Sequence, residues 1–429
     1  MAPDIMGTII LVITLLLFIT QWIPPTATAI LSIALFALTG AASYETCISG
    51  FSNNIIIMLF GVLIVGQAML ESGLATMIGR ACLKLSRGRE PRFLLYMMIA
   101  IGVLSMFIDN TTTVAVMLPI MASAVVESDG RMRFMNLVMP ASLAAMAGGA
   151  SLLIGCTVNL TGQSILLEYT GQSFTLTDFT VANLPVLVLV IVYCMTIGRK
   201  LAARIWGDGE HKALEQPAIN CYVSDRGAQP EINMRKCGIM AAILLLMICL
   251  FLFTDLPLGL TVNVAALLCI LFRLVSLKTA LPRLDWDIII RLACTLGLAA
   301  ALQECGFCEL ISGAFISVFG SGISPWAIMV FTLIVSTVMS QFMGNSTVVL
   351  VLGAAILPIV TGLGYDPLAV TMALTMGSSF AWMTPIAGAC IGITYSSGYR
   401  FTDYARYTGL LTVLMWAVAV IWLPLAFPF

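Results

Sequence analysis

The stretch FIDNTTTVAV, Phe107 to Val116, places one Asp, one Asn and three Thr between two apolar runs. Those runs, Leu94–Ile108 and Val114–Glu127, are each short for a helix that crosses a bilayer, which needs about 20 apolar residues. The sequence is basic beyond both outer ends, which predicts that the chain leaves the membrane on the side where it entered. We therefore expect a re-entrant helical hairpin from the cytoplasm, with Asp109–Thr113 at its tip near mid-membrane.

The composition of the chain is that of a membrane protein. Of its 429 residues, 60% are hydrophobic and only 10% are charged, and the mean hydropathy is +1.05. Soluble domains carry about 25% charged residues. Long unbroken apolar runs favour spanning helices over a β-barrel. A cleaved signal peptide is not expected, because the first run has no basic residue before it. The net charge of −1 shows no excess of basic residues of the kind that binds nucleic acid.

The sequence offers little support for an enzyme or a transition-metal site. The 12 Cys lie mostly within apolar segments, as is typical of buried thiols, and the single His211 has no second His to share a metal. The hydrolytic motifs G-x-S-x-G and H-E-x-x-H do not occur. We therefore expect no catalytic residues, and no cofactor apart from a coupling ion.

The chain contains two copies of one unit, which is a pattern to seek before any motif. NIIIMLFGVLIVGQAMLESG (Asn54–Gly73) matches DIIIRLACTLGLAAALQECG (Asp287–Gly306) at an offset of 233 residues. SMFIDNTTTVAV (Ser105–Val116) matches SQFMGNSTVVLV (Ser340–Val351) at an offset of 235. A duplication explains these matches better than chance does.

The duplication divides the chain into three parts. A third match joins TGQSFTLTDF (Thr170–Phe179) to SGYRFTDY (Ser397–Tyr404). Residues 1–199 are predicted to form the first repeat, with the hairpin that enters from the cytoplasm. Residues 200–236 are polar and are predicted to be a cytoplasmic linker. Residues 237–429 are predicted to form the second repeat, with a hairpin that enters from outside.

The loop charges predict that the two repeats are inverted. The segment after the third span of the first repeat is rich in Arg and Lys, whereas the matching segment Cys305–Pro325 has neither. Inverted repeats are typical of secondary transporters. With the N-terminus outside, we expect about ten spans plus two re-entrant hairpins, and both termini outside the cytoplasm. The basic residues expected on the cytoplasmic side are Arg80, Lys84, Arg87, Arg89, Arg92, Arg131, Arg133, Arg199, Lys200, Arg204, Arg273, Lys278, Arg283, Arg400 and Arg406.

Each hairpin is followed by an apolar segment that Gly, Pro and small polar residues interrupt. These segments are Gly148–Gly162 and Gly377–Gly392. One such segment alone is explained by close helix packing. Paired interruptions in two repeats instead indicate a binding site of broken helices near mid-membrane. Helix N-termini there attract anions, and carbonyl ends coordinate cations. The second tip, Gly344–Thr347, is expected to meet the first.

The sequence resembles the divalent-anion/sodium symporter family, the dicarboxylate and sulfate transporters of the wider ion-transporter superfamily. The resemblance covers nearly the whole chain. It is carried by SGFSNNIIIMLFGVLIVGQAMLESG (Ser49–Gly73), by NTTTVAVMLPI (Asn110–Ile120) and NSTVVLVLGAAILPI (Asn345–Ile359) at the two tips, and by the C-terminal segment SSGYRFTDYARYTGLLTVLMWAVAVIWLPLAFPF (Ser396–Phe429). It implies an all-α polytopic membrane protein of the cell (inner) membrane and a homodimer in the lipid bilayer.

The resemblance also implies two sodium sites and one anion site. The first sodium site falls at Ser105, Asp109, Asn110 and Gly155. The second falls at Ser340, Met343, Asn345 and Ala387. The anion falls between Asn110, Thr111, Cys156, Asn345, Ser346, Gly388 and Ala389. The chain departs from the family pattern at Asp109 and Gly344, where the family usually has Ser, and in the segment IAGAC, which lacks the usual Pro-Asn pair.

The leading hypothesis is sodium-coupled symport of a small divalent anion, either a dicarboxylate such as succinate or malate, or sulfate. No Lys or Arg is near either tip in the sequence, and Arg291, five residues from Trp286, is expected to reach the cytoplasmic interface. Bound cations would then supply the positive charge. The alternatives are a proton-coupled carrier or an anion exchanger of the same fold, and, less favoured, an anion channel.

Asp109 leaves three interpretations open. A charged acid at mid-bilayer costs a few kcal/mol or more unless it is paired, metal-bound or protonated. Its carboxylate is a hard oxygen ligand for a cation in the first interpretation, and it carries a proton in the second. In the third, it only caps the helix that leaves the tip.

Overall fold

The computed structural model describes residues 3–20, 22–128, 130–207, 209–224, 233–254, 256–307, 310 and 323–429. Over these residues the chain forms helices and no β-strand. Most of the segment Cys305–Pro325, on which the orientation argument depends, lies outside the described residues, as does part of the linker 200–236.

The first half and the linker contain twelve helices among the described residues. They are α1 (Pro3–Thr20), α2 (Pro25–Thr39), α3 (Tyr44–Ile48), α4 (Asn54–Glu71), α5 (Leu74–Ser86), α6 (Glu90–Ser105), α7 (Asn110–Glu127), α8 (Phe134–Ala150), α9 (Thr157–Thr170), α10 (Leu176–Tyr193), α11 (Arg199–Ile205) and α12 (Gly209–Ser224). A 3-10 turn (Ser49–Ser52) precedes α4, and a π-helical turn (Cys194–Gly198) joins α10 to α11.

The second half contains nine α-helices among the described residues. They are α13 (Met234–Phe253), α14 (Leu258–Leu271), α15 (Leu277–Ala280), α16 (Trp286–Glu304), α17 (Pro325–Ser340), α18 (Asn345–Gly362), α19 (Leu368–Ser379), α20 (Ala389–Tyr395) and α21 (Phe401–Ala426). A short 3-10 turn (Leu281–Arg283) precedes α16.

Seven helical segments of the described chain are long and apolar enough to cross a membrane. They are Tyr44–Glu71, Asn110–Glu127, Leu176–Ile205, Met234–Phe251, Trp286–Glu304, Asn345–Gly362 and Phe401–Ala426. Six further apolar helices have 10–17 residues, including Phe134–Ala150 and Leu368–Ser379, which lead into the two interrupted segments. The chain is therefore an all-helical, multi-pass membrane protein, as the sequence predicts. The number of spans, about ten, remains a prediction.

Matched helices support the predicted duplication. Helices α6 and α17 have 16 residues each, and α7 and α18 have 18 each. All four pairs of ends keep the offset of 235 residues found in the sequence. Helices α4 and α16 end at Glu71 and Glu304, and each is followed by a glycine with positive φ, Gly73 at 77° and Gly306 at 80°. That conformation suits glycine, which has no Cβ to clash.

A capping interaction of the same kind begins α10 and α21, in the third pair of matching segments. Asp178 Oδ2 accepts a hydrogen bond from the Thr175 amide at 2.8 Å. Asp403 Oδ2 accepts one from the Arg400 amide, also at 2.8 Å. An acid at the third helical position that bonds back to the cap residue fixes the start of a helix. Both long C-terminal helices of the halves therefore start in the same way.

The polar segment between the halves is mostly helical and packs against the first repeat. The Glu215 carboxylate on α12 accepts hydrogen bonds from the amides of Phe134 and Met135, the latter at 3.2 Å. It also forms an ion pair with Arg133 at 3.1 Å. Helix α8 has no side-chain cap of its own. Glu215 therefore caps α8 from a distant part of the chain, where exposed amides favour a negative charge.

The same segment also contacts the second repeat. His211 Nε2 lies 3.1 Å from Asp403 Oδ2, and both side chains are buried. Glu210, on the surface, contacts Arg400. Trp206, fully buried, donates from Nε1 to Asn136 Oδ1 at 2.9 Å. The described part of the predicted linker is thus folded and contacts both halves.

Candidate functional site

A cavity of about 580 Å³ lies where the two hairpin tips meet. Residues 107–112 of the first tip and 344–347 of the second both line it. So do residues 154–158 and 387–390, which lie within the two interrupted segments, and parts of α4 and α16. Small-molecule sites usually measure about 300–1,000 Å³. The predicted meeting of tips and broken helices is therefore supported, and the cavity is large enough for a small organic anion.

The first tip is held together by local hydrogen bonds. Asp109 Oδ2 accepts from the amides of Thr111 at 2.9 Å and Thr112 at 3.2 Å, so it caps α7. The Ser105 hydroxyl donates to Asn110 Oδ1 at 2.7 Å. Of the three interpretations of Asp109, the structure shows the helix cap. Asp109 also lines the cavity, and its roles toward a cation or a proton remain predictions.

The second tip has the same backbone but lacks these bonds. Gly344 precedes α18 and provides no side-chain cap. Ser340 Oγ and Asn345 Oδ1 are buried, and neither atom has a hydrogen-bond partner among the described residues. A buried polar atom without a partner costs about 1–3 kcal/mol, and native proteins contain few of them. Two such oxygens at one tip therefore form a candidate cation site.

The first helix break is stabilised by the buried side-chain amides of Asn159 and Asn183, which were not identified from the sequence. Helix α8 ends at Ala150 and α9 begins at Thr157. Asn159 Nδ2 donates to the carbonyls of Ala150 at 3.0 Å and Leu152 at 2.9 Å. Asn183 Nδ2 also donates to the Ala150 carbonyl at 3.0 Å. The signal was present, because Asn159 lies within an apolar segment immediately after its interruption.

At the second break, Gln341 forms the hydrogen bonds that stabilise the non-helical chain. Between α19 and α20 the chain is not helical, and Gln341 at the second tip contacts this stretch twice. Gln341 Oε1 accepts from the Met383 amide at 2.8 Å, and its main-chain carbonyl accepts from the Thr384 hydroxyl at 2.7 Å. Exposed backbone at membrane depth needs such partners. Gln341 was also missed, since it differs from its sequence counterpart Met106.

Close packing between the first tip and its break depends on glycine. A Cβ on Gly149 would overlap Asn110 Oδ1, and a Cβ on Gly155 would overlap the carbonyl oxygen of Gly149. At the second site, a Cβ added to Gly388 would lie 3.8 Å from Asn345 Nδ2, which is an ordinary contact. The predicted interruptions therefore also bring the break against the tip asparagine.

Ten of the thirteen predicted site residues line the same cavity. Those that line the cavity are Asp109, Asn110, Thr111, Gly155, Cys156, Asn345, Ser346, Ala387, Gly388 and Ala389. Ser105, Ser340 and Met343 are buried and are not among the lining residues. Their assignment to sodium or to the anion remains a prediction.

Arg291, which was expected to reach the cytoplasmic interface, lines the cavity. Asp285 caps α16 by accepting from the Ile288 amide at 3.2 Å, so this helix begins at the cavity wall. Asp285, Ile288 and Arg291 follow at intervals of three residues and share one face of α16.

The sequence matches one transporter family and two proteins named as uncharacterized transporters. The sequence profile of the citrate transporter family matches residues 15–377 and also residues 248–429. An uncharacterized transporter of Synechocystis sp. is 29% identical over 221 residues, which are 50% of this chain and 35% of that protein. The uncharacterized transporter YfbS of Escherichia coli is 28% identical over 188 residues, 44% of this chain and 30% of that protein. The match thus spans only about a third of the length of these two relatives.

Two further matches cover almost the whole chain. The sodium-dependent dicarboxylate transporter SdcS of Staphylococcus aureus is 22% identical over 444 residues, 97% of this chain and 85% of that protein. The crystal structure of the Alcanivorax borkumensis YdaH transporter superposes with a TM-score of 0.63 at 15% identity, covering 90% of this chain and 89% of that one. This likeness shows the fold. The matched family and relatives are transporters and not enzymes.

Proposed function

The chain belongs to the citrate transporter family, and from this premise we propose that it is a secondary active carrier that couples sodium to the uptake of a small divalent anion. The family-level resemblance seen in the sequence is confirmed, and the chain is a transporter of the citrate and dicarboxylate type. The anion of our proposal is a dicarboxylate such as succinate or malate, or sulfate. The carrier is proposed to be a homodimer in the cell (inner) membrane.

The observation that carries sodium coupling is the pair of buried oxygens at the second tip. Ser340 Oγ and Asn345 Oδ1 lack partners among the described residues, and oxygen atoms beside unwound helices are the ligands that transporters offer to sodium. The residues present therefore fit a cation. The relative SdcS is named a sodium-dependent dicarboxylate transporter, which supports the same reading.

The anion is proposed to lie between the two tips. Helices α7 and α18 begin at Asn110 and Asn345, and both of these residues line the cavity. Helix N-termini present free N–H groups and a partial positive charge, which favour anions. A bound sodium ion beside Asn345 would add positive charge to the same region. Binding of the cation and of the anion would then stabilise each other, which is the physical basis of symport.

One observation favours a second candidate, an anion exchanger of the same fold. Arg291 lines the cavity, and a fixed positive charge can stabilise the anion without a sodium ion. An exchanger needs an anion on the opposite side of the membrane and is indifferent to a sodium gradient.

Uptake into proteoliposomes tests both candidates. Labelled succinate, malate, citrate and sulfate are offered with and without an inward sodium gradient, with and without a pH gradient, and with unlabelled anion inside. Our proposal expects saturable uptake that a sodium gradient drives above equilibrium. Uptake that requires internal anion and ignores sodium indicates the exchanger, uptake driven by the pH gradient alone indicates proton coupling, and flux without saturation or counterflow indicates a channel.

Ser340→Ala adds a direct test of the cation site. Removing one of the two oxygens should raise the sodium concentration for half-maximal uptake about tenfold, the effect of roughly 1.4 kcal/mol. Ser336→Ala is the matched control, because this buried hydroxyl lies one turn earlier on α17 and donates to the Leu333 carbonyl at 3.1 Å. If wild type, Ser340→Ala and Ser336→Ala show equal sodium dependence, the unpaired oxygens of the second tip no longer support sodium coupling.

A further inference from the structure

Arg291 lies on α16 and faces the cavity beside the second hairpin tip. Ile288 and Arg291 are the residues of α16 that line this cavity, and the cap residue Asp285 before the helix lines it as well. Its side chain is 27% exposed. Among the described residues that line the cavity, Arg291 is the only basic one. The guanidinium is therefore the fixed positive charge of the site.

The wall around Arg291 is rich in hydroxyl groups. A side pocket of about 10 Å³, with room for about one water molecule, shares several lining residues with the cavity. The hydroxyl-bearing residues that line this pocket with Arg291 are Thr157, Thr161, Thr295, Ser346 and Thr347. The Ser346 hydroxyl donates to Thr157 Oγ1 at 3.3 Å, which joins the second tip to the first break. Hydroxyls can donate to an anion, so this wall can assist the guanidinium.

The ion pair that Arg291 makes within the protein is loose. Its Nη1 lies 3.7 Å from Asp287 Oδ2, which is too long for a hydrogen bond. Asp287 is 56% exposed and also accepts a hydrogen bond from the Thr26 hydroxyl. Exposed ion pairs stabilise little. The pair can orient the guanidinium while its planar fork of N–H donors stays available for a carboxylate.

We propose that Arg291 is a specificity residue that binds one carboxylate of an extended dicarboxylate, while the other carboxylate lies between the tips. The inference rests on the proposed function and narrows its substrate class. An anion with two separated carboxylates can contact both places at once. Sulfate carries its charge on one compact group, so it cannot contact both places at once.

The test is competition for sodium-driven uptake of labelled succinate by unlabelled succinate, butyrate and sulfate. Butyrate has the same chain length as succinate and lacks one carboxylate. In Arg291→Gln, the concentration of succinate for half-maximal inhibition should rise about tenfold to a hundredfold, the effect of one lost charge-assisted hydrogen bond. Inhibition by butyrate and sulfate should change less than about twofold, since neither has a second, separated anionic group that could reach Arg291 while the first lies between the tips. Arg291→Lys should be intermediate, because it keeps the charge and loses the fork.

Two further variants separate recognition from structure. Asp287→Asn removes the ion pair and keeps Arg291, so the preference for succinate over butyrate should persist. Arg235→Gln changes an exposed basic residue at the start of α13 and should match wild type. All variants are compared at equal amounts of monodisperse protein.

The outcomes distinguish this inference from the proposed function. Unaltered discrimination between succinate and butyrate in Arg291→Gln overturns the inference alone, as does a lower maximal rate with unchanged discrimination. Loss of discrimination in Asp287→Asn to the same extent also overturns it, because Arg291 would then act only through its ion pair. Sodium-driven uptake of sulfate but not of succinate by wild type overturns the inference and leaves sodium coupling standing. No sodium-driven uptake of any anion overturns both.

Discussion

Asn110 and Asn345 occupy the same position at the two tips but have different partners. Asn110 Oδ1 accepts from the Ser105 hydroxyl at 2.7 Å, whereas Asn345 Oδ1 has no partner among the described residues. We expect Asn110→Ala and Asn345→Ala each to abolish transport. Asn110→Ala should also lose about 1 kcal/mol of unfolding free energy with its hydrogen bond. Asn345→Ala should lose none, because it removes an unsatisfied acceptor.

Sodium-driven uptake and thermal unfolding of the purified protein measure these two effects. Glutamine at either position serves as a comparison that keeps the amide but lengthens the side chain. Transport near the wild-type rate by either alanine variant would show that the asparagines do not form the site.

Asp109 is expected to act both as a cap and as a cation ligand. Asp109→Asn and Asp109→Ser keep an oxygen that can accept from the Thr111 and Thr112 amides, so both should unfold close to the wild-type temperature. Asp109→Ala should lose about 1 kcal/mol. Because the lost charge would weaken cation binding, sodium dependence should weaken, with Asp109→Ser retaining more transport than Asp109→Asn. Uptake at varied sodium concentration and pH checks this expectation.

The alternatives for Asp109 give other profiles. Loss of pH dependence in both variants, with sodium dependence unaltered, would assign the carboxylate to a proton. Wild-type sodium and pH profiles in both would leave it as a cap alone.

Residue identities at the tips were predictable because the duplication marks them twice. Ser105 and Ser340, five positions before the tip asparagines, could be paired from sequence alone. Arg291 could not be placed, because its direction depends on where α16 begins, and that is decided by the Asp285 cap. The role of Gln341 could not be predicted either, because its counterpart in the first repeat is the apolar Met106.

At the scale of elements, the contact between the first tip and the first break sets the geometry of the site. Gly149→Ala should abolish or nearly abolish transport, since its Cβ would overlap Asn110 Oδ1 and displace the amide from the cavity. The helix itself should persist, because alanine favours helix more than glycine does. Uptake assays together with circular dichroism separate lost function from lost structure.

Gly238→Ala provides the matched control for that experiment. Gly238 lies in α13, is exposed, and has no atom within 4 Å of the added Cβ. This variant should transport like wild type and be slightly more stable. A Gly149→Ala protein with normal transport would show that the tip can move away from the break without consequence.

Helix ends were predictable where duplication or glycine marked them. The equal lengths of α6 and α17 follow from the repeat, and the breaks follow from clusters of small residues. Helix α12 was not predicted, because its polar composition resembles that of a loop. The few residues that bind it to the protein, such as Glu215, carry no local pattern that distinguishes them from solvated charges.

For the whole molecule, α12 contacts both halves, through Glu215 to the first and through His211 to the second. Glu215→Ala should lower the unfolding free energy by about 3 kcal/mol, because it leaves Arg133 and the amides of Phe134 and Met135 without their buried partner. Thermal unfolding in detergent, followed by fluorescence, measures the loss. Glu215→Gln should be intermediate, since it keeps an acceptor and loses the charge.

Glu210→Ala, on the same helix, is the control for Glu215. Its contact with Arg400 is largely exposed to solvent, and such pairs contribute less than about 1 kcal/mol. If Glu215→Ala unfolds at the temperature of Glu210→Ala, α12 is only loosely attached and does not stabilise the fold.

For the architecture as a whole, the sequence predicted an all-helical membrane protein, and the two repeats with opposite orientation remain a prediction. Packing of the linker and the direction of cavity side chains depend on contacts between residues that are far apart in the chain. His211 and Asp403, for example, are separated by 192 positions, and no pattern in the sequence links one to the other.

The tip asparagines are 235 residues apart, so the ribosome synthesises the first tip well before the second. At about 5–20 residues per second, the ribosome needs roughly 12–47 s to pass from the first tip to the second. During this interval the second tip, which lines the same cavity in the complete protein, is not yet present. Its Asp109 cap uses only amides two and three positions further on, so it can form as soon as the tip is made. In the nascent first half, Asp109 can therefore keep its position as a helix cap before the second tip has been synthesised.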